Sequence, residues 1–161
     1  MMTDFEQNTL TGFISYFRNM ADKHVAIEDF FHGASGDILS KSRSNLKYPC
    51  LWLETPSLVF QDNDAEQITA DRIGAFVILW NAPNKKPAEL DVIWADCELM
   101  VYDVLARMRR DRKKGKFNFS LNGTSAEAIS QMFTDNDYGW RVEFKMGKFV
   151  PICFDKTKWK D

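Results

Sequence analysis

The chain has 161 residues, of which 45% are hydrophobic and 27% charged, and its formal net charge is −2. This composition predicts one globular domain, and the charge argues against a protein that binds nucleic acid over its whole surface. Its three cysteines and two histidines are widely spaced and contain no C-x-x-C pair, so neither a structural zinc site nor another cofactor is expected.

An amphipathic helix is predicted near the N-terminus, over residues 4–23. Thr3 or Asp4 is placed to cap it, and its apolar residues recur every three or four positions, at Leu10, Phe13, Ile14, Phe17 and Met20. The segment Asp-Phe-Phe-His at 29–32 indicates a short apolar element. It is followed by an irregular polar loop at 33–47, which we interpret as a flexible arm.

Three strands are predicted in the middle of the chain, at 48–54, 57–61 and 67–80. The third is the longest, and its apolar run from Ile73 to Trp80 is too continuous for a half-exposed strand. It therefore predicts a central strand that is covered on both faces, or that is covered by a helix on one face and by a partner subunit on the other. The same run is too short to span a membrane.

A long amphipathic helix is predicted over residues 87–112. Pro87 suits its first turn, and Gly115 can end it. Its apolar stripe should lie across the sheet. Its C-terminal end is basic, and only part of that charge is explained by the helix dipole. The remainder predicts a rim that faces an acidic partner or passing DNA, formed by Arg107, Arg109, Arg110, Arg112, Lys113, Lys114 and Lys116.

The last third of the chain is predicted to contain strands at 116–121, 138–146 and 149–154, with a short helix or loop at 125–133. The sequence contains no repeat and no low-complexity linker. These elements predict a single α+β domain over residues 1–161. Its mixed, mostly antiparallel sheet should carry the long helix across one face, with the N-terminal helix beside it.

One pattern resembles half of a metal-dependent nuclease site. Glu143 and Lys145 form an E-x-K pair on a predicted strand, for which Asp135 or Asp137 would have to supply the second carboxylate. Alternating Glu and Lys on the solvent face of a strand explains the pattern more simply. We therefore predict no catalytic and no metal-binding residue, and keep a Mg²⁺-dependent nuclease as an alternative.

Two other patterns resemble binding or catalytic sites only superficially. Residues 62–64 and 135–137 both read Asp-Asn-Asp, but they lack the glycine and glutamate of a calcium loop and are predicted to be turns. His24 or His32 could pair with Cys50 as base and nucleophile, yet no motif surrounds them. We therefore interpret the Cys50 thiol and the two histidines as structural residues.

The order of elements is similar to that of bacteriophage tail terminator, or tail-completion, proteins of the neck. The matching pieces are the N-terminal helix, the strand YPCLWLE, the long strand before the break NAPNKKP, and the long helix. The late segment DNDYGWRVEFKMG also resembles the family, because a turn leads through Gly139 into an alternating strand. The resemblance implies a ring of subunits, usually a hexamer, that ends the tail tube and meets the head connector.

The resemblance also implies partners and a location. The partners would be further copies of the chain, the tail tube protein, the head–tail connector proteins and transiently DNA, without a membrane. The ring would belong to the tail or neck of the virion and assemble in the host cytoplasm. Aromatic side chains would contribute to the subunit interface, with the candidates Trp52, Trp80, Trp94 and Trp140. A small cytosolic binding or adaptor domain remains the other alternative.

Overall fold

The structure, a computed structural model, describes residues 8–33, 45–65, 67–132 and 136–160. The described residues form two α-helices, α1 (Leu10–Lys23) and α2 (Pro87–Lys113), and a short 3₁₀ turn at Lys156–Lys158. The described strands are β1 (Asp29–His32), β2 (Cys50–Leu53), β3 (Ser57–Asp62), β4 (Ile68–Asn81), β5 (Asn118–Phe119), β6 (Ser125–Met132) and β7 (Asp137–Phe149). The predicted α+β class is confirmed.

The sheet is built around its two longest strands. β4 and β7 pair antiparallel from Thr69 and Phe149 at one end to Asn81 and Asp137 at the other. On the far side of β4, β2 pairs with its second half and β3 with its first half. On the far side of β7, β6 and β5 lie one after the other. Only β1 runs parallel to its described neighbour, β2, so the sheet is mixed and mostly antiparallel.

Each helix begins where a local signal places it. The Thr9 hydroxyl accepts a hydrogen bond from the Gly12 amide at 3.1 Å, so α1 starts at Leu10 and the predicted start at residue 4 is wrong. Residues 1–7, with the predicted caps, lie outside the described residues. α2 begins at Pro87 as predicted, and the Lys86 amide donates to the Glu89 carboxylate at 2.8 Å.

Both helices pack on the same face of the sheet. The centre of this core is aromatic: Phe17 of α1 lies 5.9 Å from Phe76 of β4 and 5.2 Å from Phe144 of β7, measured between ring centroids. α2 contributes a buried stripe that includes Cys97, Val101, Val104 and Met108. The high phenylalanine content is therefore used largely inside the subunit.

Three local predictions are wrong. Residues 125–132 form strand β6 rather than a helix or loop, because pairing with β7 decides their conformation. Residues 150–155 form no strand, since β7 already runs to Phe149. Leu121 is 44% exposed rather than inward-facing, because β5 ends at Phe119 and the chain turns at Asn122 and Gly123. Most of the predicted arm at 33–47 lies outside the described residues.

Candidate functional site

Among the described residues, nothing assembles the nuclease-like pair into a site. Glu143 accepts a hydrogen bond from Arg141 at 2.6 Å, and Lys145 lies 3.5 Å from Asp71. Asp137 is six residues from Glu143 along β7, which separates the two carboxylates by roughly 20 Å. It is buried and accepts from the Asn81 amide at 2.8 Å. Asp135 lies outside the described residues.

The cysteines and histidines are also kept apart. Cys50 is paired in register with Asp29, while the His32 ring lies 3.4 Å from the Thr55 hydroxyl and the His24 ring 3.0 Å from Asp103. Burial raises the pKa of the Cys50 thiol far above its ordinary value. Burial raises the pKa of Cys97 to about 12. Both buried thiols are therefore protonated, and poor nucleophiles, at neutral pH.

Within the part of the chain that the structure describes, no three His, Cys, Asp or Glu side chains are grouped closely enough to hold a metal ion. The Asp62 carboxylate instead accepts from the Asp64 amide at 2.8 Å, and Asp64 has φ of +57°, which confirms the predicted turn there. Among the described helices, none is long and apolar enough to cross a membrane.

The four candidate interface tryptophans mainly make contacts inside the subunit. Trp52 is 2% exposed, and its indole N–H donates to the Gly33 carbonyl at 2.8 Å, so it offers a neighbour no surface. Trp94 donates to the Ile129 carbonyl and Trp140 to the Trp94 carbonyl, which fastens α2 to the sheet. These two rings and Trp80 are half-buried, and their place in a subunit interface stays a prediction.

Exposed apolar side chains lie instead on β3 and its surroundings. All six residues of β3 are exposed, including Leu58, Val59 and Phe60. Ile73 of β4 and Phe149 of β7 are 45% and 62% exposed nearby. The sequence signal that could have revealed this surface is the run Leu-Val-Phe, because three consecutive apolar residues make both faces of a strand apolar.

Among the described strands, β1 and β3 end the sheet on one side, and β5 and β6 end it on the opposite side. Of these, β3 pairs with β4 alone and β6, the longer strand on its side, pairs with β7 alone. Each strand therefore has a row of backbone N–H and C=O groups that the described strands leave unpaired. Proteins usually protect such edges with charge, proline or a covering segment. β3 carries no positively charged residue and no proline, so its edge is suited to pairing with another chain.

The basic end of α2 divides into a structural part and an exposed part. The buried Asp111 carboxylate accepts from the Tyr16 hydroxyl and from Arg107, both at 3.0 Å, and Lys116 lies 3.7 Å from it. These contacts hold Arg107 and Lys116 against the subunit. The exposed cations of the predicted rim, which the structure pairs with no described carboxylate, are Arg109, Arg110, Arg112, Lys113 and Lys114.

A second cluster of charged side chains, centred on Arg141, links β7 to β6 and to the end of β2. Arg141 of β7 donates to both oxygens of Glu54, at 2.8 and 2.9 Å, and its guanidinium lies 3.8 Å from Glu127 of β6. Hydrogen bonding to Glu54 raises the pKa of Arg141 above its already high value. Together with Glu143, one arginine therefore faces three carboxylates, which gives this cluster of four side chains a net charge of −2.

No family model matches the sequence, and no curated protein shows significant similarity to it. Function is therefore inferred from the sheet edges and the charged surfaces described above.

Proposed function

We propose that this protein is a structural, ring-forming component of a bacteriophage tail of the tail terminator type, which caps the tail tube and joins it to the head connector. The observation that carries the proposal is the pair of open strand edges on opposite sides of one sheet, of which β3 also presents exposed apolar side chains. The order of elements and the basic end of α2 support the same class of protein.

Opposite edges favour head-to-tail assembly. If β3 of one subunit pairs with β6 of the next, each subunit uses two different surfaces, and the chain of contacts closes into a ring when the rotation per subunit permits. β3 and β6 run in opposite directions within the subunit, because β3 is antiparallel to β4, β4 to β7 and β7 to β6. Neighbouring subunits in a continuous sheet would therefore form an antiparallel ladder.

The two edges are staggered along the strands. The middle of β3 lies opposite Ala70 and Asp71 of β4, whereas the middle of β6 is level with Ile78 of β4. Measured along β4, the middles of β3 and β6 are about seven residues apart, which corresponds to roughly 25 Å. A ring built from this contact would therefore have its strands tilted to the ring axis, as in closed barrels.

The proposed function is tested by the mass and shape of the purified chain. We expect native mass spectrometry to show one dominant closed oligomer, and electron microscopy of stained particles to show rings with a central hole. A monomer at the highest soluble concentration would contradict the proposal. Open filaments of variable length would also contradict it, because they show that the contact does not close.

The exposed cations of α2 suit contact with DNA that passes through the ring. Replacing Arg109, Arg110 and Arg112 together by glutamine should weaken binding to double-stranded DNA and reduce the slope of log affinity against log salt by up to about 3, since each lost phosphate contact contributes about 0.9. Fluorescence anisotropy over a range of salt concentrations measures both effects.

The matched control changes Lys156, Lys158 and Lys160 of the exposed C-terminal segment to glutamine, which removes the same charge elsewhere. DNA binding that the arginine variant leaves unchanged, or that both variants weaken equally, would exclude a specific role for the rim.

A further inference from the structure

The outer face of α2 carries an apolar stripe that the subunit does not use. The buried residues of α2 face the sheet. On the opposite side, Val92, Leu99 and Tyr102 are 59%, 60% and 54% exposed, and Ala95 and Ala106 are exposed between and beyond them. Their spacing of three and four residues repeats every seven, the pattern by which one helix packs along another.

The charges beside this outer stripe change sign along the helix. Its first part is flanked by carboxylates, including Glu89 and Asp91, and its last part by Arg110 and Arg112. Two such helices laid parallel would place like charges opposite one another. Laid antiparallel, they place the acidic half of each against the basic half of the other. The flanking charges are therefore complementary to those of a second copy of the same helix.

We propose that two copies of this chain associate through the outer faces of their α2 helices, packed antiparallel about a two-fold axis. In the register that this spacing gives, Leu99 of each copy packs on Tyr102 of the other, and Ala95 on Ala106. Asp91 of each copy faces Arg112 of the other. The contact uses neither β3 nor β6, so it does not depend on closure of the proposed ring and would join two subunits or two rings. It shares Arg110 and Arg112 with the proposed DNA contact, so the two contacts exclude one another at these residues.

Two features limit the affinity of the proposed dimer. Asp96 and Asp103 flank the middle of the stripe. In the antiparallel register, Asp96 of each copy faces Asp103 of the other, and these like charges repel. The stripe from residue 92 to residue 106 is also only about 21 Å long. We therefore expect a reversible, concentration-dependent dimer rather than a permanent one.

The test uses the full chain with Val59→Lys, which blocks the β3 edge so that ring assembly does not mask the dimer. Sedimentation equilibrium should show a monomer–dimer equilibrium. Leu99→Lys should weaken it at least about tenfold, because the leucine contact occurs twice in each dimer. The control Ile152→Lys makes a similar change at a residue of similar exposure, 52%, in the C-terminal segment, and should leave the dimer unchanged.

Charge reversal tests the antiparallel arrangement itself. Asp91→Lys should weaken the dimer, and so should Arg112→Glu, because each variant places like charges opposite one another where Asp91 faces Arg112. Mixed together, the two variants should form a heterodimer that is tighter than the homodimer of either. A background chain that stays monomeric, a dimer unaffected by Leu99→Lys, or a mixture that fails to associate would each overturn the proposal. Loss of the ring in Val59→Lys with the dimer retained separates this contact from the proposed function.

Discussion

Replacing Gly139 by alanine should destabilise the fold by more than about 4 kcal/mol, a large fraction of the total stability of most domains of this size. An added Cβ would lie 1.7 Å from the Ile78 carbonyl oxygen and 2.8 Å from the Ile78 carbonyl carbon. The obstacle is backbone rather than a side chain that can rotate away. Because β4 and β7 pair along almost their whole length, neither strand can move locally. Urea or thermal unfolding followed by circular dichroism measures the effect.

Gly115→Ala is the matched control for that prediction. Gly115 has φ of +76° after the end of α2, and nothing lies within 4 Å of the added Cβ. The substitution should therefore cost only the strain of the left-handed conformation, about 1–2 kcal/mol. If Gly139→Ala proves no more damaging than Gly115→Ala, the close approach of β7 to β4 at this point is incorrect.

Replacing Val59 by lysine should disrupt subunit association while leaving the subunit folded. Val59 lies in the middle of the β3 edge and is 44% exposed, so the isolated subunit loses little packing. In the proposed ring the added lysine side chain would stand on the face of the sheet beside the contact with β6 of the next subunit, and a lysine on an edge strand is one of the features by which proteins prevent edge pairing. The association should therefore weaken by at least about tenfold. Native mass spectrometry should show the loss, while the far-ultraviolet circular dichroism spectrum stays that of the unmodified chain.

Val25→Lys provides the comparison, because it introduces the same charge at a valine that is 99% exposed and lies on neither sheet edge. Its assemblies should match those of the unmodified chain. Equal loss of assembly in both variants would show that added charge, rather than the β3 edge, controls association. Assembly that persists in Val59→Lys would exclude β3 as the contact.

The sequence predicts most of the helical structure because the signals for it are local. Pro87, the apolar stripe and Gly115 define α2 without reference to any other element. β6 could not be predicted in the same way, since the apolar residues that alternate along its first half are two alanines, which have little preference for strands. Its conformation depends on pairing with β7.

The sequence predicts that α2 ends in a basic run and that residues 57–61 form a strand, but it does not predict which of these residues are exposed. The basic run is evident from the sequence, yet the buried Asp111 holds Arg107 and Lys116 with the help of Tyr16, which lies 95 positions away. Likewise, β3 is predicted to be a strand, but its position at an edge is known only from its pairing with β4 alone among the described strands. Long-range pairing therefore decides which parts of these patterns reach the surface.

The central claim, that opposite sheet edges of neighbouring subunits pair, is tested most directly by cross-linking β3 to β6. One thiol would replace Leu58 and another Ala128, which point to the same face of the sheet, in a chain whose exposed Cys153 is changed to serine. With a short bis-maleimide reagent, the double variant should give a ladder of linked subunits that ends at a closed species.

Each single-thiol variant alone should stay unlinked, while a mixture of the two should give linked dimers and nothing larger. Dimers from either single variant alone, or no links in the double variant, would contradict head-to-tail pairing of β3 with β6.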